Sequence, residues 1–271
     1  MNHPVIAFIG AGNMARSLIN GLLSSGTPAA SLRASDPSAE QRGRLGALGI
    51  DTLEDNAEAV RGADVVVLAV KPQILGQVLP SVPLKREQLV ISIAAGVPLG
   101  ALEAWAAAEA PIVRGMPNTP ALLGAGITGM HANARASAAD RQTADQVMRA
   151  AGATLWVERE DLLDAVTAVS GSGPAYFFYL MEAMIEAGTA LGLDRDSATT
   201  LTLETALGAA RMAREGNDPP ATLRANVTSP GGTTERALSI LDAAGTRGAV
   251  EQAMAGAAQR ARELAKEFGQ S

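Results

Sequence analysis

The sequence predicts an α/β chain in which an N-terminal doubly wound domain is followed by an all-helical C-terminal domain. Three observations carry that prediction. Short β-favouring runs alternate with helical stretches through the first 160 residues. Glycines stand directly after the first of those runs. Beyond Glu160 the strand pattern stops, and segments rich in Ala, Leu and Met take over at helical length. Strands separated by helices are the pattern of parallel βαβ units joined by right-handed crossovers.

Residues 5–9 form the first β-favouring run, which ends at Gly10, and a helical pattern follows over 13–24. Residues 31–35 make a second strand, stopped by Asp36-Pro37, and 38–48 read as helix. Residues 64–70 are continuous and β-branched, as a strand buried on both faces should be. Another such run covers 89–94. Shorter strands are expected at 112–114, 126–130 and 153–157, with a helix at 136–151. Helices then follow at 161–169, 174–191, 195–215, 234–243 and 247–268. The 174–191 segment carries Tyr176, Phe177, Tyr179, Leu180, Met184 and Ala187, which leaves little of its surface polar. Such a helix must be covered by neighbours or by a partner chain. The partner chain is the better expectation, because this half is too small to cover every helix.

Composition narrows the function. Almost half of the 271 residues are apolar, so a large core can be buried. The formal charge of −6 argues against a nucleic-acid partner, which needs a basic face. With no cysteine there is no disulfide framework, no thiolate nucleophile and no Cys-based zinc site, and no metal is expected. Residues 1–5 run straight towards the first strand without a basic and then apolar leader. No apolar run approaches the roughly 20 residues that span a bilayer. A soluble, cytoplasmic protein with no membrane partner is expected.

Gly10-Ala11-Gly12-Asn13-Met14-Ala15 lies where a strand turns into a helix. Gly10 permits a tight turn, Gly12 has no Cβ to obstruct a pyrophosphate, and Ala15 lets the helix pack on the strand. The unpaired amides of the helix N-terminus then receive phosphates. This is the opening of a Rossmann domain that binds a nicotinamide dinucleotide. At the end of the second strand, Ser35 and Asp36 point to different cofactors. The acid suits a free ribose 2′-OH and NAD, whereas Arg33, Arg42 and Arg44 are near enough in sequence to meet a 2′-phosphate. Ala69-Val70-Lys71-Pro72 follows the 64–70 strand at the sheet edge where ligands bind, with Lys71 either a solvated loop lysine or a phosphate neighbour. Ala94-Ala95-Gly96 is small enough for a flat nicotinamide ring. Met116-Pro117-Asn118-Thr119-Pro120 is a rigid loop at the same edge, with Asn118 its hydrogen-bonding side chain or a plain turn residue.

Two glycine-bracketed segments mark the helical half. Ser170-Gly171-Ser172-Gly173-Pro174 joins two helices, with Pro174 suited to a first helical turn. Asn226-Val227-Thr228-Ser229-Pro230-Gly231-Gly232-Thr233-Thr234 puts two glycines and two hydroxyls before a helix, a turn that exposes amides to a carboxylate.

With these segments together, the chain resembles the pyrroline-5-carboxylate reductase family over nearly its whole length. The resemblance implies reduction of L-1-pyrroline-5-carboxylate to L-proline with NADPH, NADH being a second cofactor of the family. It implies a homodimer through the C-terminal helices, often assembled into a pentamer of dimers. It places Gly10, Ala11, Gly12, Asn13, Met14, Ser35, Asn56, Ala69, Val70, Lys71, Pro72, Ala94, Ala95, Gly96 and Asn118 at the cofactor. It places Asn226, Gly231, Gly232, Thr233 and Thr234 at the substrate; there Thr234 is expected to be the catalytic residue, its hydroxyl donating to the ring nitrogen. Here Asp36-Pro37 replaces the basic residue that some relatives carry beside Ser35. The expected division is 1–162 for the dinucleotide domain and 163–271 for the substrate-binding and dimerisation domain, so that the active site forms between domains. A related dehydrogenase of β-hydroxy acids is the rival enzyme. It would need a lysine acid early in the helical half, and none occurs between Lys85 and Lys266. A sensor that kept the fold without the chemistry is the non-enzymatic rival, and the intact 226–234 turn argues against it.

Overall fold

The computed structural model describes residues 3–106 and 109–269. Met1 and Asn2, part of the expected direct run into the first strand, lie outside the described residues. The chain runs β1 (Ile6–Ile9), α1 (Asn13–Ser24), β2 (Leu32–Ser35), α2 (Ala39–Gly46), β3 (Asp51–Leu53), α3 (Asn56–Val60), β4 (Val65–Leu68) and α4 (Pro72–Val78). It continues through β5 (Leu89–Ser92), α5 (Leu99–Trp105), β6 (Ile112–Met116), β7 (Gly126–Ala132), α6 (Ala138–Arg149), β8 (Gly152–Trp156) and α7 (Leu162–Val166). The remaining helices are α8 (Gly173–Ala190), α9 (Arg195–Glu215), α10 (Pro220–Asn226), α11 (Thr233–Ala243) and α12 (Thr246–Gly269).

One sheet holds the strands in the order β3-β2-β1-β4-β5-β6-β7-β8. The strand order reverses between β1 and β4, the switch point at which doubly wound sheets open a crevice. Both of those strands are buried throughout. Alternate residues serve opposite faces: Ile6 and Phe8 join one apolar layer with Leu18, Ile19 and Val67. Ala7 and Ile9 join the other with Val66, Leu68, Leu75 and Leu102.

The expected strands and long helices are present; the short helices α3, α4, α5 and α10 were not expected, and three further differences concern the sheet and the 161–169 segment. β3 was not expected, because it has three residues, starts with exposed Asp51 and lies at the sheet edge. β7 runs antiparallel to β6. Only a 3₁₀ turn at Thr119–Leu123 separates them, too little chain for the crossover that a parallel pair needs. The predicted helix over 161–169 is α7 followed by a π-helical turn at Thr167–Gly171, closed by Ser172 N–H donating to Thr167 O at 2.8 Å.

The chain forms two compact units. The first comprises the described residues of Met1–Ser172 and Ala257–Ser271, and the second is Gly173–Gly256. The first unit thus takes in α7, the π turn and the end of α12, whereas the sequence drew its line at 162. In the second unit α8 and α9 approach closely at Gly188, where a Cβ would stand 3.3 Å from that of Ala198. Phe177, Tyr179, Leu201, Leu207 and Met212 are exposed on this single chain. Among the described residues no helix is long and apolar enough to cross a membrane.

The end of α12 is tied to the first unit by Arg262, whose Nε lies 3.9 Å from Asp164 Oδ2 on α7. Burial pushes the Asp164 carboxyl above its ordinary 3.8, and this outweighs the opposing pull of Arg114 and Arg262. A folded pKa above the unfolded value means that the folded chain binds the extra proton, so this group's contribution falls as pH rises through the folded pKa. Asp164→Asn does not titrate, so its melting temperature relative to the native protein should climb between about pH 3 and pH 6. Thermal melts across that range check this. A relative fall would mean that the Arg262 contact outweighs burial.

Candidate cofactor and substrate sites

The turn after β1 is fixed by backbone contacts alone. Gly10 N–H donates to Ser35 O at 2.8 Å, and Ala69 N–H donates to Ile9 O at 2.8 Å. Gly10 has φ +97, and a Cβ there would stand 2.9 Å from both the carbonyl carbon and the oxygen of Ala69. Glycine is therefore demanded on two counts. Gly12 is different. Nothing lies within 4 Å of where its Cβ would be, so the protein's own packing would accept a side chain. Open space there, at the N-cap of a helix with no side-chain cap, is what an approaching pyrophosphate requires. The first-turn amides of Asn13 and Met14 have no intrahelical acceptor. Ala11 and Ala15 are buried beneath the turn, and Asn13 Oδ1 accepts from Arg16 Nη2 at 2.6 Å.

At the end of β2 the two competing residues take different parts. The Asp36 carboxylate faces inward: Oδ2 accepts from Ala11 N–H at 2.9 Å and Oδ1 from Ser38 N–H at 2.8 Å. It braces the glycine turn against the end of β2. Ser35 is wholly buried, and its hydroxyl donates to Asn56 Oδ1 at 2.7 Å. Ser35 thus orients the half-buried Asn56. Arg42 lies alongside, its Nη1 donating to the carbonyls of Asp36 at 2.7 Å and Pro37 at 2.9 Å.

Ala69 and Val70 are half-buried after β4, Lys71 is exposed at the N-cap of α4, and Pro72 opens that helix. After β5, Ala94 is buried, Ala95 is exposed and Gly96 has φ +79. Asn118 is buried and its side-chain amide is committed within the protein. Nδ2 donates to Ser170 O at 3.0 Å, and Oδ1 accepts from Ile127 N–H at 2.9 Å. It fastens the Pro-bracketed loop to the π turn.

The second unit carries the other glycine turn. Gly231 has φ +72, and its N–H donates to Glu235 Oε2 at 2.7 Å. Gly232 N–H donates to Ser229 O at 3.0 Å. The two glycines shape the turn, and the amides left to α11's first turn are those of Thr233 and Thr234. Thr233 is exposed and Thr234 half-buried, while Asn226 is exposed as the last residue of α10. No group of three or more His, Asp or Glu able to hold a metal occurs among the described residues.

Sequence reasoning missed the roles of Asp36, Glu160 and Glu235. Glu235 left a weak signal, an acid in the first turn of a helix, where it meets free amides. Glu160 left no local signal, because the groups it binds lie 46 and 61 residues away.

A glycine turn at the switch point of a largely parallel sheet, followed in the chain by a helical unit with its own amide-bearing turn, is the plan of a two-part dinucleotide-binding protein. The family model for pyrroline-5-carboxylate reductase dimerisation matches residues 160–264, and a model described as NADP oxidoreductase, coenzyme F420-dependent, matches 5–96. The pyrroline-5-carboxylate reductase of Pseudomonas aeruginosa is 57% identical over 273 residues, covering 100% of both chains. That of Pisum sativum is 38% identical over 262 residues, covering 96% of this chain and 95% of its own. Among solved structures, the Coxiella burnetii enzyme superposes with a TM-score of 0.93 at 41% identity, covering 97% of this chain and 99% of that one. The Plasmodium falciparum enzyme with NADP bound gives 0.87 at 30% identity, covering 98% and 99%. The chain belongs to the pyrroline-5-carboxylate reductase family.

The two glycines of the first turn should separate stability from binding. Gly10→Ala should lower the melting temperature, costing at least the roughly 1–2 kcal/mol of a left-handed non-glycine residue. Gly12→Ala should melt like the native protein and yet bind NADPH more weakly. Calorimetric melts and dinucleotide titrations of both variants check this, and a destabilised Gly12→Ala would contradict it.

Proposed function

We propose that the protein reduces L-1-pyrroline-5-carboxylate to L-proline with a reduced nicotinamide dinucleotide, the last step of proline biosynthesis. The observation that carries the reading is whole-length identity of 57% to a pyrroline-5-carboxylate reductase, with both glycine turns present. The reaction adds a hydride to the imine carbon and a proton to the imine nitrogen.

Gly12, Asn13 and Met14 would receive the pyrophosphate, with Ala11 supporting them from beneath. Asn56, oriented by Ser35, would line the ribose end, and residues 69–72 the adenosine side. Residues 94–96 would hold the nicotinamide, which when bound supplies the hydride. NADPH is the preferred cofactor in this reading. Both Asp36 oxygens are turned to backbone amides, which weighs against the acid reading a free 2′-OH, and Arg42, held by the Asp36 and Pro37 carbonyls and by Glu54, would release a guanidinium nitrogen to meet a 2′-phosphate. Asn118 would act by holding its loop in place.

The substrate carboxylate would sit on the Thr233 and Thr234 amides and the Thr233 hydroxyl, within the turn shaped by Gly231 and Gly232 and flanked by Asn226. The Thr234 hydroxyl would donate to the ring nitrogen. A threonine hydroxyl is too weak an acid to be the net proton source near pH 7, so Thr234 orients a nitrogen protonated beforehand or through water. His131 lies on β7 with its Nδ1 2.9 Å from the Val157 carbonyl, and like His3 it falls outside every motif, so neither histidine is assigned the proton transfer. The exposed apolar residues of α8 and α9 would meet a second copy of the chain, giving a homodimer that assembles further as a pentamer of dimers. A cytoplasmic location completes the reading.

The native protein should oxidise NADPH at 340 nm with pyrroline-5-carboxylate and not with a 3-oxo acid, and more efficiently than NADH by kcat/KM. Thr234→Ala should lower kcat about 10- to 100-fold while leaving NADPH affinity unchanged. Turnover of the 3-oxo acid alone, or native turnover in the variant, would overturn the reading.

A further inference from the structure

Glu160 stands outside every motif, yet it holds the segment that follows β5. Its Oε1 accepts from Leu99 N–H at 2.7 Å and from Arg114 Nη1 at 2.7 Å. Leu99 is the first residue of α5, and the N-cap residue, Pro98, supplies no side-chain cap. The amide would otherwise be left without an acceptor in a buried place. Arg114 is 5% exposed on β6. A guanidinium so deeply buried holds its carboxylate in one place. Residues 93–98 therefore run between two fixed points, the end of β5 and the Glu160–Leu99 bond. From the side of α12, Leu264 and Phe268 close over the same segment, each 3.3 Å from where a Gly96 Cβ would stand. Floor, end and roof leave residues 94–96 little room to move.

We propose that Glu160 is a positioning residue that sets where residues 94–96 present their surface to the nicotinamide ring; the proposal rests on the assignment of those residues to the ring. Arg114 fixes the carboxylate, the carboxylate fixes Leu99, and Leu99 fixes the loop. Hydride transfer requires the donor carbon and the imine carbon to meet at about 3–3.5 Å, and a misplacement of about 1 Å is costly.

The test compares whole-cofactor binding with fragment binding. Glu160→Ala should weaken NADPH and lower kcat about tenfold, while 2′,5′-ADP, which reaches only the adenosine end, binds as to the native protein. Glu160→Gln keeps an oxygen for the Leu99 amide and should recover most of both losses. Glu160→Asp, one methylene shorter, should behave like the alanine variant and replaces it if the latter does not fold. Native kcat and NADPH affinity in the alanine or aspartate variant would overturn the proposal. So would equal weakening of NADPH and 2′,5′-ADP, which would signify general loosening of the domain. Failure of the functional reading would look different. The native protein would then not turn over pyrroline-5-carboxylate, while the binding comparison would still report on Glu160.

Discussion

The approach of Gly10 to the Ala69 backbone is the constraint on which the first unit's chemistry depends. It brings the carboxyl ends of β1 and β4 together at the point where the sheet reverses its strand order. No side chain other than hydrogen fits between them. With that contact made, the chain must leave β1 in a tight turn, and α1 starts at Asn13 with the amides of its first turn free of intrahelical acceptors. Gly12 then stands over open space, which is the opposite environment two residues away. Gly10 is required by the protein's own packing, and the proposed dinucleotide is what would require Gly12.

Three acids repeat one device around the proposed sites. Asp36 braces the first glycine turn, Glu160 the segment after β5, and Glu235 the second glycine turn, each by accepting a backbone N–H. A charge-assisted bond of this kind is stronger than a neutral one, and it fixes a loop without a large side chain entering the crevice. This suits a sequence poor in aromatics and rich in Ala and Gly, where loops cannot be anchored by bulky apolar groups. It also explains how an acidic chain can prepare sites for anions: these carboxylates are turned towards amides.

The sheet was legible because its central strands are short, β-branched and buried on both faces, and α1 and α9 end where the pattern ends. The antiparallel β7 and the edge strand β3 were not legible, since direction depends on connection length and a three-residue strand has no period to read. The short helices α3, α4, α5 and α10, of five to seven residues, are likewise below the length at which a 3.6-residue repeat can be seen. At the proposed sites, the two glycine turns could be located from spacing together with the strand or helix beside them. The orientation of Asp36 could not, because nothing local distinguishes a carboxylate aimed at a ribose from one aimed at the Ala11 amide. Asn118 was chosen as a hydrogen-bonding side chain, and its partners, Ser170 and Ile127, lie on elements that only the fold brings near.

The central claim is that the crevice at the β1–β4 switch point seats the dinucleotide over Gly12. A crystal structure of the protein grown with NADPH tests it most directly. Pyrophosphate oxygens should lie at about 3 Å from amides between Gly12 and Met14, with Asp36 still turned to Ala11. A dinucleotide bound away from that turn would contradict it.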